Sequence, residues 1–88
     1  MPRIQDMSDR MLVWFAEADF EIGFSLVDMA QAEAAAGNYA QAAQILINAD
    51  NVFLDIQQIL CKLRMPDGGP FRPLVGELRR AIDLANSG

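Results

Sequence analysis

Histidine is absent from this 88-residue sequence, and cysteine occurs once, as Cys61. Without histidine the chain cannot form His-containing zinc sites, His-based catalytic triads or the carboxylate–histidine di-iron pattern. A single cysteine cannot form an intramolecular disulfide, and a lone cysteine on a helix usually packs as a small apolar residue. The absence of histidine and the single cysteine therefore exclude common catalytic and metal-binding sites, and the low cysteine content agrees with an intracellular protein.

Long apolar runs are also missing. No run approaches the roughly 18 residues that a membrane span needs, and the N-terminal MPRIQDMSDR has no signal-peptide hydrophobic core. We therefore expect a cytoplasmic protein without a membrane partner. The length suits one helical-bundle domain over residues 1–88, which buries only about 60–65% of its unfolded surface unless subunits associate.

Positive charge is scarce, because seven basic residues stand against twelve acidic ones and the net charge is −5. Residues 7–36 contain one base, Arg10, and the next base is Lys62, so the whole imbalance lies in the first predicted helix. An acidic chain with one lysine is poorly suited to bind phosphate backbones, so we expect no nucleic-acid partner. The excess of acids is interpreted as a solvated face, on which Glu17, Glu21 and Asp28 align, whereas Asp19 and Glu33 fall within the apolar face.

Apolar residues recur at helical spacing along the chain, and strand-like alternation is found nowhere in the sequence. The pattern predicts two long helices, at about 7–36 and 39–64, and a short third helix at about 73–86. Because Gly37 and Asn38 leave only a short connection, the long helices must be antiparallel, and Asn38 is expected to cap the second. The predicted fold class is all-α, an antiparallel three-helix bundle.

The third helix is too short to cover the whole hairpin. At 1.5 Å per residue it spans about 21 Å, against about 40–45 Å for each long helix. If it starts beside Arg64, it ends level with Asn51, and the alanine-rich end of the hairpin stays uncovered. Such a patch usually marks an interface, so we expect a homodimer, with a helical protein partner as the alternative occupant. The residues left without cover are Leu26, Met29, Ala42, Ile45 and Leu46.

The residues predicted to contact a partner lie on two narrower apolar stripes. One stripe runs beside the acids of the first helix, and the other follows intervals of seven on the second helix. The candidates are Phe20, Phe24, Val27, Ile47 and Leu54. The first-helix stripe has a second interpretation, in which it covers the loop at 65–73 and the third helix together with Phe71.

One charged side chain is predicted inside or at the rim of the bundle. Asp19 falls within the apolar face of the first helix, level with the region of Arg79 on the third. A buried carboxylate without a partner is costly, so we expect Asp19 and Arg79 to form a structural ion pair.

The turn between the long helices resembles that of a tetratricopeptide repeat. The similarity covers about residues 23–56 and is carried by Gly37, Tyr39, Ala42, Leu46 and Ala49. Leu54 stands where the usual closing proline would be, and no second repeat follows. Similar turns occur in microtubule-interacting-and-transport domains and in the helical HEPN family. The resemblance implies a helical hairpin with a protein- or peptide-binding surface and no catalysis.

No catalytic or cofactor-binding motif is found in the sequence, and no metal ligand set is predicted. We therefore expect a non-catalytic module for protein–protein interaction or self-association, and not an enzyme. The alternative is a small-ligand or metal-dependent all-α enzyme, or an enzyme subunit, that uses the acidic face of the first helix. Glu17, Glu21 and Asp28 share that face, but the other helices supply no matching acidic cluster.

Overall fold

The structure, a computed structural model, describes residues 8–87. Three helices account for most of this range: α1 is Asp9–Ala35, α2 is Tyr39–Lys62 and α3 is Arg72–Ser87. A short 3₁₀ turn, Gly69–Phe71, leads directly into α3. The described range contains no strand, and the antiparallel three-helix bundle expected from the sequence is confirmed. The predicted helix start at residue 7 lies outside the described residues.

Hydrogen bonds at both ends of α1 explain where this helix begins and ends. The Ser8 hydroxyl accepts a bond from a backbone amide of the first turn at 3.3 Å, which satisfies a free donor. At the other end the Asn38 amide donates to the Glu33 carbonyl at 2.8 Å. A second bond, from Gly37 to Ala34 at 3.0 Å, completes a Schellman motif, which requires the left-handed backbone that Gly37 supplies.

The predicted side-chain cap of α2 is wrong. Asn38 makes no capping bond to α2, and its side-chain amide donates to the Glu33 carboxylate at 2.8 Å instead. The physical reason is the Schellman motif, which brings Asn38 beside Glu33 at the end of α1. Both bonds that Asn38 donates therefore close the first helix, and only its backbone carbonyl serves α2, by accepting a bond from the Ala42 amide at 3.0 Å.

The chain leaves α2 through a second motif of the same kind. The Met65 amide donates to the Leu60 carbonyl at 2.8 Å, five residues back. Arg64 occupies the left-handed position of this motif with φ 61°, where glycine is the usual residue. α2 therefore ends at Lys62, two residues before the predicted end.

A polar turn joins α2 to α3. The Asp67 carboxylate accepts a bond from the Gly69 amide at 3.2 Å and forms an ion pair with Arg72. The bond from Arg72 lowers the pKa of the Asp67 carboxyl. The turn thus bends the chain back towards the hairpin before α3 begins.

The core lies between α1 and α2 and is closed on one side by α3. Phe71, in the turn before α3, stacks on Phe20 of α1 with ring centroids 5.6 Å apart. A Cβ placed on Gly23 would lie 2.9 Å from the Leu78 side chain, so glycine is what allows Leu78 to lie fully buried there. The main core cluster is Leu12, Ala16, Phe20, Val27, Ala49, Phe53, Ile56, Ile59, Leu60, Phe71, Leu78 and Ile82.

α3 lies nearer the alanine-rich end of the hairpin than its length alone predicted. The loop after α2 first runs back to Phe20, so α3 begins there and not beside Arg64. A second buried cluster packs against Ala85 near the end of α3: Ala30, Ala42, Ile45 and Leu46. Ala42, Ile45 and Leu46 are therefore buried and not uncovered as predicted, whereas Met29 remains exposed. A groove of about 210 Å³ remains at this end, between the hairpin and the last turn of α3.

Candidate protein–protein interface

Two of the five predicted contact residues lie inside the core. Phe20 and Val27 are each 3% exposed, because α3 and the turn before it cover this side of α1. Phe24 is partly buried and packs against the same core. These residues follow the second interpretation of their stripe, in which it covers the third helix together with Phe71. Phe20 and Val27 are therefore wrong as contact residues.

The other two predicted contact residues, Ile47 and Leu54, are exposed on α2. Their side chains are 53% and 54% exposed, and seven residues, about two helical turns, separate them. Ala40 and Cys61 continue the line at the same spacing, and both are exposed. We call these four residues the α2 stripe.

A shallow groove runs along the C-terminal half of the α2 stripe. Its volume is about 430 Å³, and it is open to solvent along its length. The residues that line it are Leu54, Gln57, Gln58, Cys61 and Lys62. Sites for small molecules usually enclose most of the ligand, so an open groove on one helix suits the side chains of a second helix better.

The α2 stripe is bordered by side chains that carry little net charge. Gln44, Asn51 and Gln58 run parallel to it at intervals of seven, and all three are exposed. On the other border, Asp50 is partly buried and lies 3.3 Å from the Arg79 guanidinium. The stripe is therefore an apolar line between uncharged amides on one border and a carboxylate paired with Arg79 on the other.

Arg79 does not form the predicted ion pair with Asp19. Its guanidinium lies 2.7 Å from Asp83 and 3.3 Å from Asp50, and it stacks over the Phe53 ring at 5.1 Å. The hydrogen bonds to Asp83 are the main reason that the pKa of Arg79 is raised. The predicted pair is wrong because Arg79 faces the side of α2 that carries Asp50 and Phe53.

Asp19 lies on the opposite side of the hairpin, beside Asp55 of α2. Burial raises the pKa of the Asp19 carboxyl, and the negative charge of Asp55 raises it further. At 100° per residue, Asp55 stands about 140° around α2 from Asp50, which separates Asp19 from Arg79. No cation among residues 8–87 lies within salt-bridge distance of Asp19.

A further apolar surface, on α1, was not among the predicted contact residues. Helical spacing places Met11, Ile22 and Met29 on one face with the buried Leu12 and Ala30. In the structure the first three are 44%, 48% and 53% exposed. The apolar face of α1 is wider than α2 and α3 can cover, so one edge of it remains in solvent. The helical spacing of apolar residues shows this wide face in the sequence, but it does not show which edge of the face α2 and α3 cover.

The helices within residues 8–87 show neither a metal-ligand cluster nor a membrane-spanning segment. No three Cys, Asp or Glu side chains within residues 8–87 are grouped so that they could hold a metal ion. None of the helices in this range combines the length and the hydropathy that crossing a bilayer requires.

Comparisons with known protein families, with curated protein sequences and with solved structures found no match to this chain. A functional assignment must therefore come from the exposed surfaces of the bundle.

Proposed function

We propose that this chain is a non-catalytic helical interaction module that associates with a second copy of itself through the α2 stripe. The observation that carries the proposal is the exposure of Ile47 and Leu54, two turns apart, on the side of α2 that faces away from the core. Fully burying an apolar side chain of this size contributes about 1.5–3 kcal/mol, and about half of that is available here because each side chain is already about half buried. A two-fold dimer removes both residues of each chain from water at once.

Charge favours a second copy as the occupant of this surface. One border of the α2 stripe consists of amides, and on the other border Asp50 is paired with Arg79. When a two-fold axis brings two copies of the stripe together, these borders therefore create no strong contact between like charges. Gln44, Asn51 and Gln58 occupy the line beside the stripe that would also face the partner. Amides in such positions bond to each other across the interface and fix the register, at some cost in stability.

The tetratricopeptide-like turn supports the same class of function. Ala42, Leu46 and Ala49, which carry that resemblance, are buried between the helices of the hairpin. Small residues at a helical contact allow close approach of the two backbones. In this proposal the hairpin is a stiff support, and the outer side of α2 is the surface that it presents.

Sedimentation equilibrium over about a hundredfold range of concentration tests the proposal. We expect a mass of about 19 kDa, twice the 9.7 kDa chain. Leu54→Gln removes apolar area from the stripe in both copies and should weaken the dimer by about tenfold or more. The matched control is Leu84→Gln, which changes a similarly exposed leucine on α3 and should leave the dimer unchanged.

Two results would contradict the proposal. One is a mass of 9.7 kDa over the whole concentration range, which would leave the α2 stripe without a second copy. The other is a dimer that Leu54→Gln and Leu84→Gln weaken equally, which would place the contact elsewhere. Helix content measured by circular dichroism shows whether each variant is folded before its mass is interpreted.

A further inference from the structure

A line of uncharged residues runs almost the full length of α1, on a surface that the proposed dimer does not use. Its members alternate in steps of four and three residues, which is the spacing of a seam between packed helices. At 1.5 Å per residue the line is about 32 Å long. We call it the α1 seam: Met11, Phe15, Ala18, Ile22, Ser25, Met29 and Ala32.

The α1 seam is in solvent for most of its length. Ile22 and Met29 are about half exposed, and Ser25 and Ala32 are exposed between and beyond them. Gly23, the residue after Ile22, receives Leu78 of α3, so the seam lies about 100° around α1 from that contact. The small residues of the seam leave room for another helix to approach closely, and methionine adapts to the shape of a partner.

Beyond Arg10, which stands beside the first residue of the α1 seam, both borders carry charge of one sign. Glu21 and Asp28 stand directly beside the seam on one border, and Asp19 and Glu33 stand beside it on the other. No base follows Arg10 within α1. Two copies that met at this seam would place acid against acid on both borders, in either relative direction. This repulsion disfavours a second copy of this chain as the occupant.

Two places along the α1 seam favour a basic side chain on the partner, one beside Asp19 and the other beside Trp14. Asp19 is partly buried and has no basic partner within residues 8–87, so a lysine or arginine at this level would supply the missing counter-charge. On the other border a groove of about 210 Å³ lies beside Trp14, whose indole is 63% exposed. An arginine side chain laid over that indole would meet an aromatic face and a carboxylate together. The residues that line the groove are Trp14, Glu17, Ala18 and Glu21.

We infer that the α1 seam is the docking site for an amphipathic helix of another protein, one whose apolar stripe is bordered by lysine and arginine. The seam supplies apolar surface to bury, and the acidic borders select the partner and disfavour a second copy of this chain. The same acids repel an anionic membrane surface. This inference concerns a different helix and a different partner from the proposed dimer.

The direct test uses a synthetic helical peptide of about 25 residues, long enough to reach along the seam. The peptide has leucine and alanine in steps of four and three, arginine on both borders and no tryptophan. Trp14 is the single tryptophan of the chain and lies beside the seam, so its fluorescence reports binding. We expect the arginine-bordered peptide to bind about tenfold or more tightly than a glutamine-bordered one, with the advantage falling as salt rises.

Variants of the chain locate the binding surface. Ile22→Gln should weaken the arginine-bordered peptide by about tenfold, whereas Leu84→Gln, the matched change on α3, should leave its affinity unchanged. Replacing both Glu21 and Asp28 by lysine reverses one border, so the chain should then prefer a peptide with glutamate on that border and arginine on the other. All four positions are exposed, so these substitutions leave the core intact.

Three results would overturn the inference. Equal affinity for arginine- and glutamine-bordered peptides would show that the acidic borders select nothing. Unchanged binding by Ile22→Gln would place the site elsewhere, and loss of binding in Leu54→Gln would place it on the α2 stripe. Because Leu54→Gln is expected to disrupt only the dimer, the peptide result and the dimer result can fail independently.

Discussion

Asp19 is a single side chain placed where its ionised form is disfavoured. It is partly buried on α1, and Asp55 adds a second negative charge nearby, so the pKa of Asp19 is raised above its ordinary value of 3.8. Folding therefore favours the protonated carboxyl, and ionisation lowers the free energy of unfolding. This loss is present at neutral pH and is recovered as the pH falls through the folded-state pKa towards 3.8.

Asp19→Asn should accordingly raise the melting temperature at pH 7, because it removes the charge and nearly keeps the shape. The advantage should shrink as the pH falls towards 3.8, where the folded wild type carries a protonated carboxyl. Thermal unfolding followed by circular dichroism at both pH values measures the difference. Asp28→Asn, at an exposed position on the same helix, is the control and should give no comparable gain. A lower melting temperature for Asp19→Asn at pH 7 would show that the carboxylate has a stabilising partner.

At the scale of the element, neighbouring residues of α1 lie in different surroundings, one in solvent and the next against α3. Ile22 belongs to the exposed seam, and Gly23, the next residue, belongs to the contact with α3. A glycine in the middle of a helix costs about 1 kcal/mol relative to alanine, so its presence at this position needs a compensating contact. The buried Leu78 side chain, packed where a Cβ would otherwise stand, is that contact.

Gly23→Ala should therefore destabilise the folded chain by about 1–2 kcal/mol, although alanine is the better helix former. The new methyl group would lie 2.9 Å from Leu78, which is fully buried and surrounded by core residues. In a Leu78→Ala background the same substitution should stabilise by up to about 1 kcal/mol, because the clash is gone and the helix preference remains. Urea unfolding of the four chains measures this cycle. An effect of the same sign in both backgrounds would contradict the close packing of α3 on α1.

At the scale of the whole molecule, the position of α3 separates the sequence predictions that held from those that failed. The three helices follow from local signals, such as Gly37 after α1 and the proline-containing turn after α2, and these are legible in the sequence. The displacement of α3 along the hairpin depends on the turn at Asp67 and on Phe71 reaching Phe20. Helical periodicity carries no information about how far such a loop runs, so the covered end of the hairpin was missed.

Because helical periodicity does not say where α3 docks, only some of the exposed apolar residues could be predicted from the sequence. Ile47 and Leu54 stand apart from the core face of α2 at intervals of seven, so spacing alone marks them as outside the bundle. Ile22 and Met29 share one broad face with the buried Ala30, and the edge that stays in solvent is decided by where α3 docks. The predicted pairing of Asp19 with Arg79 failed for this reason too, because α3 carries Arg79 to the other side of the hairpin.

The long interval without a basic residue, from Met11 to Cys61, also fixes where trypsin can cut. Its sites lie at Arg10, in the first turn of α1, and from Lys62, the last residue of α2, onward, so the part of the hairpin between Met11 and Cys61 contains none. Limited digestion would remove the third helix and leave the two long helices as one uncut fragment. The rate at which that fragment forms would report how often α3 lifts away from the hairpin, a motion that the same protease could follow with and without a helix bound on α1.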